Sequence, residues 1–156
     1  MENNPGLKFL NIHKDIKEHF DFLFKRGFRI AAAVFVDNST KNWVVTLLND
    51  DWFVKLYCEH GHVDLGLTNL QVVDEAGFLD LSMLLESIEK GEDESYYTDA
   101  KYMNEQEQIK SIAQLFRRYF NELITQFDDL NPTVPNQGIS YPAYNIYGQL
   151  SIGNCP

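Results

Sequence analysis

The chain has 156 residues, 44% of them hydrophobic and 13% aromatic, which is enough large apolar surface for one ordinary core without metals or disulfides. Thirteen Lys and Arg against twenty-three Asp and Glu give a formal charge of −10, which repels phosphate backbones and anionic membrane surfaces. Nucleic-acid and membrane partners are therefore not expected, and a basic protein partner fits the charge better.

The first predicted element is a helix, because apolar residues recur at helical spacing from Ile12 to Phe24. Gly27 follows, and glycine ends a helix in the left-handed conformation at little cost. Residues 28–36 then predict a strand. Its three alanines, at positions 31–33, favour a close-packed central strand that is covered by a helix.

Two short apolar runs, residues 43–48 and 52–58, are separated only by Asn-Asp-Asp, which predicts an antiparallel hairpin. The alternation of Val63, Leu65 and Leu67 with polar residues predicts a further strand. The central part of the chain is therefore expected to be a meander of about four strands.

Aromatic side chains are concentrated in the predicted hairpin. We expect them to line one face of the sheet, as core or as an interface, because aromatic cross-strand pairs stabilise sheets. These residues are Trp43, Trp52, Phe53 and Tyr57.

Two further helices are predicted after the strands. Leucines at 81, 84 and 85 with Ile88 recur at helical spacing before Gly91, and a long apolar stripe runs from Asn104 to Asp128 through Phe116 and Phe120. The sequence thus predicts an α+β fold: an antiparallel sheet of about four strands, flanked by an N-terminal helix and a long C-terminal helix. Residues 1–130 form one domain.

Residues 131–156 differ in composition, since Pro, Gly, Asn, Gln, Ser and Tyr dominate and no core periodicity is present. Tyrosines recur every three residues at Tyr141, Tyr144 and Tyr147. Tyrosine is enriched in protein-recognition surfaces, so these three are the candidate partner-binding residues. We expect this irregular segment to dock on the domain or on a second subunit, and a homo-oligomer stays open.

The run Cys58-Glu59-His60-Gly61-His62 is the best metal candidate, because two imidazoles and a thiolate are good zinc ligands. A zinc site normally needs three or four protein ligands, and the remaining His13, His19 and Cys155 stand in no recognised spacing. We therefore expect no metal at this run.

Catalytic and cofactor signatures are not found in the sequence. There is no Gly-x-Ser-x-Gly nucleophile motif and no glycine-rich phosphate loop, so no catalytic residue and no cofactor are predicted. Two cysteines and a polar N-terminus without a secretory signal indicate a reducing, cytoplasmic location.

The succession of Phe20–Phe28, the strand start Trp52–Lys55 and the short helix with Leu84–Leu85 resembles small bacterial immunity-type proteins of toxin systems. In those, a helix ending in Gly-Phe precedes an antiparallel sheet, and an acidic surface masks a toxin domain. The resemblance covers residues 12–127 as a pattern. It implies a non-enzymatic acidic binding protein, an immunity-type inhibitor of a basic protein partner.

The alternative is a small ligand-binding or enzymatic α+β domain with a pocket between helices and sheet. Such a pocket would use residues that are scattered in the sequence, such as His13, His19, Asp50 or His60. Convergent titratable groups in a deep polar pocket would favour this alternative.

Overall fold

The computed structural model describes residues 4–36, 41–70, 79–88 and 95–130. The helices are α1 (Pro5–His19), α2 (Asp21–Phe24), α3 (Leu81–Ser87), α4 (Ser95–Asp99) and α5 (Glu105–Leu130), with a short 3-10 helix at Ala100–Tyr102. The strands are β1 (Arg29–Phe35), β2 (Trp43–Leu48), β3 (Trp52–Glu59), β4 (His62–Asn69) and β5 (Leu79–Asp80).

All strands pair with their neighbours in sequence, in the order β1-β2-β3-β4-β5, and every pairing is antiparallel. The predicted α+β fold is confirmed. The sheet has five strands, one more than expected, because Leu79 and Asp80 pair with Leu67 and Gly66 of β4. Two residues are too few to show an alternating pattern, so the sequence did not indicate this strand.

A two-residue turn joins β3 to β4. His60 and Gly61 both have positive φ angles, of 50° and 84°, as a type I′ hairpin turn requires at its two central positions. This turn fixes the register of the hairpin, because Glu59 is then opposite His62. A shift of one residue would move every side chain of β4 to the other face of the sheet.

One side of the sheet, the core face, packs against the helices. Alternate residues of the three central strands belong to it, namely Trp43, Val45, Leu47, Val54, Leu56, Cys58, Val63, Leu65 and Leu67. All of these side chains are buried, as are Ile12 and Ile16 of α1 and Leu84 of α3. The hydrophobic core therefore lies between this face and the helical layer.

Helix α5 contributes the largest helical share of the core. Its apolar stripe is buried along Ile109, Ile112, Ala113, Phe116, Phe120 and Leu123, as expected for the helix predicted from Asn104. A reciprocal capping box starts it: Asn104 Oδ1 accepts from Glu107 N at 2.8 Å, and Asn104 N donates to Glu107 Oε1 at 3.2 Å. An ion pair of 2.8 Å between Lys8 and Glu105 joins α5 to α1.

The predicted central position of the alanine-rich strand is wrong. In the described sheet β1 stands at the edge and pairs only with β2, and its Ala31 and Ala33 are exposed. The register shifts between Ile30 and Ala32, so the strand carries a bulge at this point. Small side chains suit an edge that the neighbouring helix covers only in part.

The aromatic residues of the hairpin do not share one face. Trp43 and Trp52 pack on the core side, whereas Phe53 and Tyr57 point to the opposite side. Successive residues of a strand alternate between faces, so Trp52 and Phe53 cannot lie together.

The first helix begins earlier than its apolar spacing indicated, at Pro5 after the N-cap Asn4, and it breaks at Phe20 before α2. Gly27 has a φ of 84°, which confirms the left-handed helix end. The short helix α3 ends at Ser87 with Ile88 as its C-cap, so the predicted end at Gly91 is four residues too late. No described helix is both long and apolar enough to cross a membrane.

Candidate functional site

The side of the sheet opposite the core face carries polar and charged side chains among apolar ones such as Val44 and Leu48, and we call it the polar face. It presents Thr46, Phe53, Lys55, Tyr57, Asp64, Gly66, Thr68 and Asp80. Four polar or charged residues are buried in the described part of the chain, and three of them, Thr46, Lys55 and Thr68, belong to this face. Buried polar side chains on a sheet are uncommon, which makes this face the candidate site.

Lys55 lies at the middle of the polar face. One row of paired residues crosses the sheet as Ala32, Thr46, Lys55, Gly66 and Asp80, so small residues flank the lysine on both neighbouring strands. Because Gly66 has no side chain, nothing on β4 separates Lys55 from Asp80 within this row.

The Lys55 side chain is nearly enclosed, since the residue is only 3% exposed. Burial lowers the pKa of its ammonium to about 8, and the carboxylates of Asp80, Asp64 and Glu59 oppose that shift. Its Nζ lies 4.8 Å from the centroid of the Tyr57 ring, within the range of a cation–π contact. Lys55 is therefore a buried cation held among three acids and an aromatic ring.

Asp64 is the partly buried acid of the polar face. Its Oδ1 accepts hydrogen bonds from the Tyr97 hydroxyl at 3.0 Å and from Leu65 N at 2.8 Å. Burial nevertheless raises the pKa of this carboxyl to about 6, and the nearby Asp80 carboxylate also raises it. A positive charge placed beside Asp64 would stabilise the ionised carboxylate and so lower its pKa.

Asp80 and the tyrosines complete the acidic end of this face. The Tyr57 hydroxyl donates to Asp80 Oδ1 at 3.2 Å. Tyr97 comes from α4, and its ring centroid lies 6.5 Å from that of His62, an exposed residue on the same side of β4. Carboxylates are thus interleaved with aromatic rings along one margin of the sheet.

Gln108 and Tyr96 hold α4 and α5 against the part of the β4 edge that β5 does not cover. The Tyr96 hydroxyl donates to the Val63 carbonyl, and Val63 N donates to Gln108 Oε1 at 2.8 Å. Gln108 Nε2 donates to the Gly61 carbonyl at 2.7 Å. These contacts satisfy edge groups of β4 and fix the position of Tyr97 on the neighbouring face.

Thr68 carries a buried polar atom without a hydrogen bond. Thr68 is fully buried. Among the described residues, its Oγ1 is the buried side-chain oxygen or nitrogen that has no hydrogen-bond partner. The unmet hydroxyl costs about 1–3 kcal/mol. Thr68 follows Gly66 by two residues and lies on the same face of β4.

Chemically, this arrangement suits recognition of a cation. Among the described residues, the carboxylates of Glu59, Asp64 and Asp80 lie near the Lys55 ammonium, and aromatic rings flank them. Lys55 and Asp64 also have pKa values displaced toward neutrality, as in many catalytic pairs, although structural charge networks displace them in the same way. The near-complete burial of Lys55 favours the structural explanation for the lysine.

The residues of the Cys58-Glu59-His60-Gly61-His62 run diverge. Cys58 lies on the core face, where burial raises the pKa of its thiol to about 12 and disfavours the thiolate that binds metals. His60 is exposed in the turn, and His62 lies on the other side of β4. These three side chains therefore do not form one ligand set.

The scattered polar residues of the enzymatic alternative are not brought together either. Asp50 lies in the β2–β3 turn and His60 in the β3–β4 turn, at opposite ends of an eight-residue strand about 25 Å long. His13 and His19 belong to α1. The candidate partner-binding residues Tyr141, Tyr144 and Tyr147 lie outside the described residues.

A different set of side chains, on α1, has the spacing to bind a cation. Ligand atoms of Asp15, Glu18 and His19, on one stretch of α1, all lie within 4.8 Å of one another. Carboxylates and imidazoles at this helical spacing are common on solvent-facing helices. We therefore assign no metal to them.

An apolar cleft separates α1 from the edge of the sheet. It has a volume of about 300 Å³, and its walls come from α1 on one side and from β1 and β2 on the other. Its apolar lining residues are Phe9, Leu10, Ile12, Ile16, Ile30, Ala33 and Val45, and His13 is the titratable residue among the described residues that line it.

Comparison with protein-family models, with curated proteins and with solved structures found no match. The immunity-type resemblance therefore stays a prediction, and the function is inferred from the geometry of the polar face and the cleft.

Proposed function

We propose that this chain is a non-enzymatic acidic binding protein and that the accessible acidic margin of its polar face, at Glu59, Asp64 and Asp80, receives a basic segment of a protein partner. An immunity-type inhibitor of a basic toxin domain is the form of this function that the sequence pattern favours. The observation that carries the proposal is the gathering of Glu59, Asp64 and Asp80 around the Lys55 ammonium, with Tyr57 and Tyr97 hydrogen-bonded to two of the acids.

In the free protein the ionised Asp64 carboxylate is destabilised, and a basic partner would offset that destabilisation. Asp64 is desolvated and lies near a second carboxylate, which is why its pKa is raised to about 6. An arginine or lysine side chain brought beside Asp64 would stabilise the ionised carboxylate. The tyrosine rings offer the cation a second, cation–π contact.

The charge of the whole chain supports the same partner. A formal charge of −10 attracts a basic protein over distances comparable to the Debye length and raises the rate of association. Binding of this kind weakens with salt, mainly through a slower association rate.

The experiment is a binding titration with a basic probe, an arginine-rich peptide, followed by affinity capture of natural partners. The test variant is the double substitution Asp64→Asn/Asp80→Asn. The matched control is Asp50→Asn/Asp51→Asn, which removes the same charge at the exposed β2–β3 turn at the far end of β3. We expect the test variant to bind the peptide at least about tenfold more weakly, about 1.4 kcal/mol, and the control to change it by much less.

Equal weakening in both double variants would show that only net charge attracts the peptide and would refute the assignment of the polar face. A captured partner that is acidic, or whose association is unaffected by salt, would refute the proposal of a basic partner.

A second candidate function is a small ligand-binding domain, and the apolar cleft between α1 and the sheet is the observation that favours it. The enzymatic version of this candidate gains less support. The displaced pKa values belong to Lys55 and Asp64 on the polar face, while the cleft opens on the core side of β1 and β2.

A further inference from the structure

We propose that the cleft between α1 and the edge of the sheet binds a small anionic amphiphile, an acyl or aromatic carboxylate. The proposal deepens the second candidate function and is independent of the partner proposed for the polar face. It rests on the shape and lining of the cleft and on the charge of nearby positions of α1.

The size of the cleft fits a small molecule. Its volume of about 300 Å³ corresponds to about ten water molecules, so about ten non-hydrogen atoms fit inside. This volume is at the lower end of known ligand pockets, which are also mostly apolar with few polar groups. The aliphatic walls formed by Ile12, Ile16, Ile30 and Val45 suit an acyl chain or a single ring.

The floor of the cleft is formed in part by Ala33, whose small side chain leaves space above it. Ala33 lines the cleft from β1 and is exposed, although it lies on the side of the sheet that faces α1. Nearby, Phe9 of α1 packs on Phe35 of β1 with ring centroids 4.1 Å apart. These two rings hold the helix and the edge strand together next to the cleft.

Basic side chains occupy positions of α1 one helical turn from residues that line the cleft. His13 lines it, and the exposed Lys17 stands one helical turn further on the same side of α1. Lys14 follows the exposed lining residue Leu10 by the same interval. This local positive strip on a chain of charge −10 is complementary to a carboxylate.

The acids of α1, Asp15 and Glu18, lie close to each other, within 4.8 Å, and neither lines the cleft. Asp15 lines a separate groove between α1 and α5, together with Glu105 and Gln106. A carboxylate seated in the apolar cleft would therefore meet the positive side of the helix and not its acids. This asymmetry is the reason for an anionic head group in the proposal.

The test uses octanoate as the probe, because its eight carbons and two oxygens match the estimated about ten non-hydrogen atoms. Calorimetric titrations of octanoate, octanol and octyltrimethylammonium compare the three head groups on one chain length. The blocking variant is Ala33→Phe, which fills the cleft from its floor. The matched control is Ala31→Phe, an exposed alanine on the same strand that does not line the cleft.

We expect octanoate to bind more tightly than octanol and much more tightly than the cation. Ala33→Phe should lower the affinity for octanoate at least about tenfold, whereas Ala31→Phe should change this affinity by less than about twofold. Lys17→Gln should lower the affinity for octanoate but not the affinity for octanol. Nuclear Overhauser contacts from the octanoate chain to the methyl groups of Ile12, Ile16 and Val45 should locate the probe in the unmodified protein.

The proposal is overturned if octanoate does not bind, if the cation binds as well as octanoate, or if Ala33→Phe and Ala31→Phe behave alike. Overhauser contacts to other residues would overturn it even if Ala33→Phe failed to fold. Asp64→Asn/Asp80→Asn should not affect octanoate, and Ala33→Phe should not affect the arginine-rich peptide. Failure of one proposal is thus distinguishable from failure of the other.

Discussion

Gln108 of α5 accepts a hydrogen bond of 2.8 Å from the backbone N–H of Val63, at a part of β4 that β5 does not cover. The same amide donates to the Gly61 carbonyl at 2.7 Å and to the Met103 carbonyl at 3.2 Å. A single buried side chain therefore links the long helix, the β3–β4 turn and the edge of the sheet.

Replacing Gln108 by alanine should lower the free energy of unfolding by about 2–4 kcal/mol, because a buried donor and buried acceptors lose their partner. Urea unfolding measures the loss. Gln114→Ala, at an exposed position of the same helix, serves as the control and should change stability by less than about 0.5 kcal/mol. Equal effects would show that the network around Gln108 contributes nothing specific.

Phe120→Ala should cost about 3–5 kcal/mol, the usual range for a buried phenylalanine. The residue is 3% exposed, and its ring centroid lies 5.2 Å from that of Phe116 and 5.8 Å from that of Phe22. The same unfolding measurement applies. A loss below about 1 kcal/mol would mean that this stripe of α5 packs only weakly against the domain.

Asp64 should make the fold less stable as pH rises from about 4 to 7. Its pKa is raised from 3.8 to about 6, so the folded state binds more protons than the unfolded state in this window. Stability therefore falls with rising pH, by about 2–3 kcal/mol from this group. Asp64→Asn should remove that fall in urea unfolding at several pH values, and Asp50→Asn should retain it. A steeper fall in Asp64→Asn than in the wild type would contradict the assignment.

Elemental analysis of protein purified without added metal should find no stoichiometric zinc bound through Cys58, His60 and His62. The Cys58 thiol faces the core with its pKa raised to about 12, while His62 lies on the other face. Stoichiometric zinc that disappears in His60→Ala/His62→Ala would show that the turn rearranges to bind metal.

Deletion of residues 131–156 should lower the melting temperature or change the oligomeric mass. The expectation comes from Tyr141, Tyr144 and Tyr147, whose rings can be buried while their hydroxyls stay in contact with water. Calorimetry and light scattering provide the two measurements. If the shortened protein keeps its melting temperature, mass and solubility, the segment makes no stabilising contact and the three tyrosines lose their candidate role.

Local patterns predicted the individual elements well. Gly27 ends a helix because its left-handed backbone is available at little cost, and the stripe of α5 is visible in sequence because 3.6-residue periodicity persists over several turns. The position of β1 was predicted wrongly, since the order of strands in a sheet depends on contacts that an alanine-rich run does not encode.

The polar face was missed, although a sequence signal for it exists. The two-residue turn at His60 and Gly61 fixes the hairpin register and thereby places Lys55 opposite Gly66. From that register, the alternating polar residues of β3 and β4 fall on one side. The contribution of Asp80 could not be predicted, because it requires the two-residue strand β5 and its pairing with β4.

The order of the strands has a consequence for how the chain folds. Every strand pairs with its sequence neighbour, so each hairpin closes a short loop and pays little loop-closure entropy. The contact between α1 and α5 is of another kind, because Lys8 and Glu105 are separated by 97 positions. On a ribosome, α1 would leave the exit tunnel long before its partner helix was synthesised. We expect the sheet to form first and its core face to stay partly uncovered until α5 packs against it.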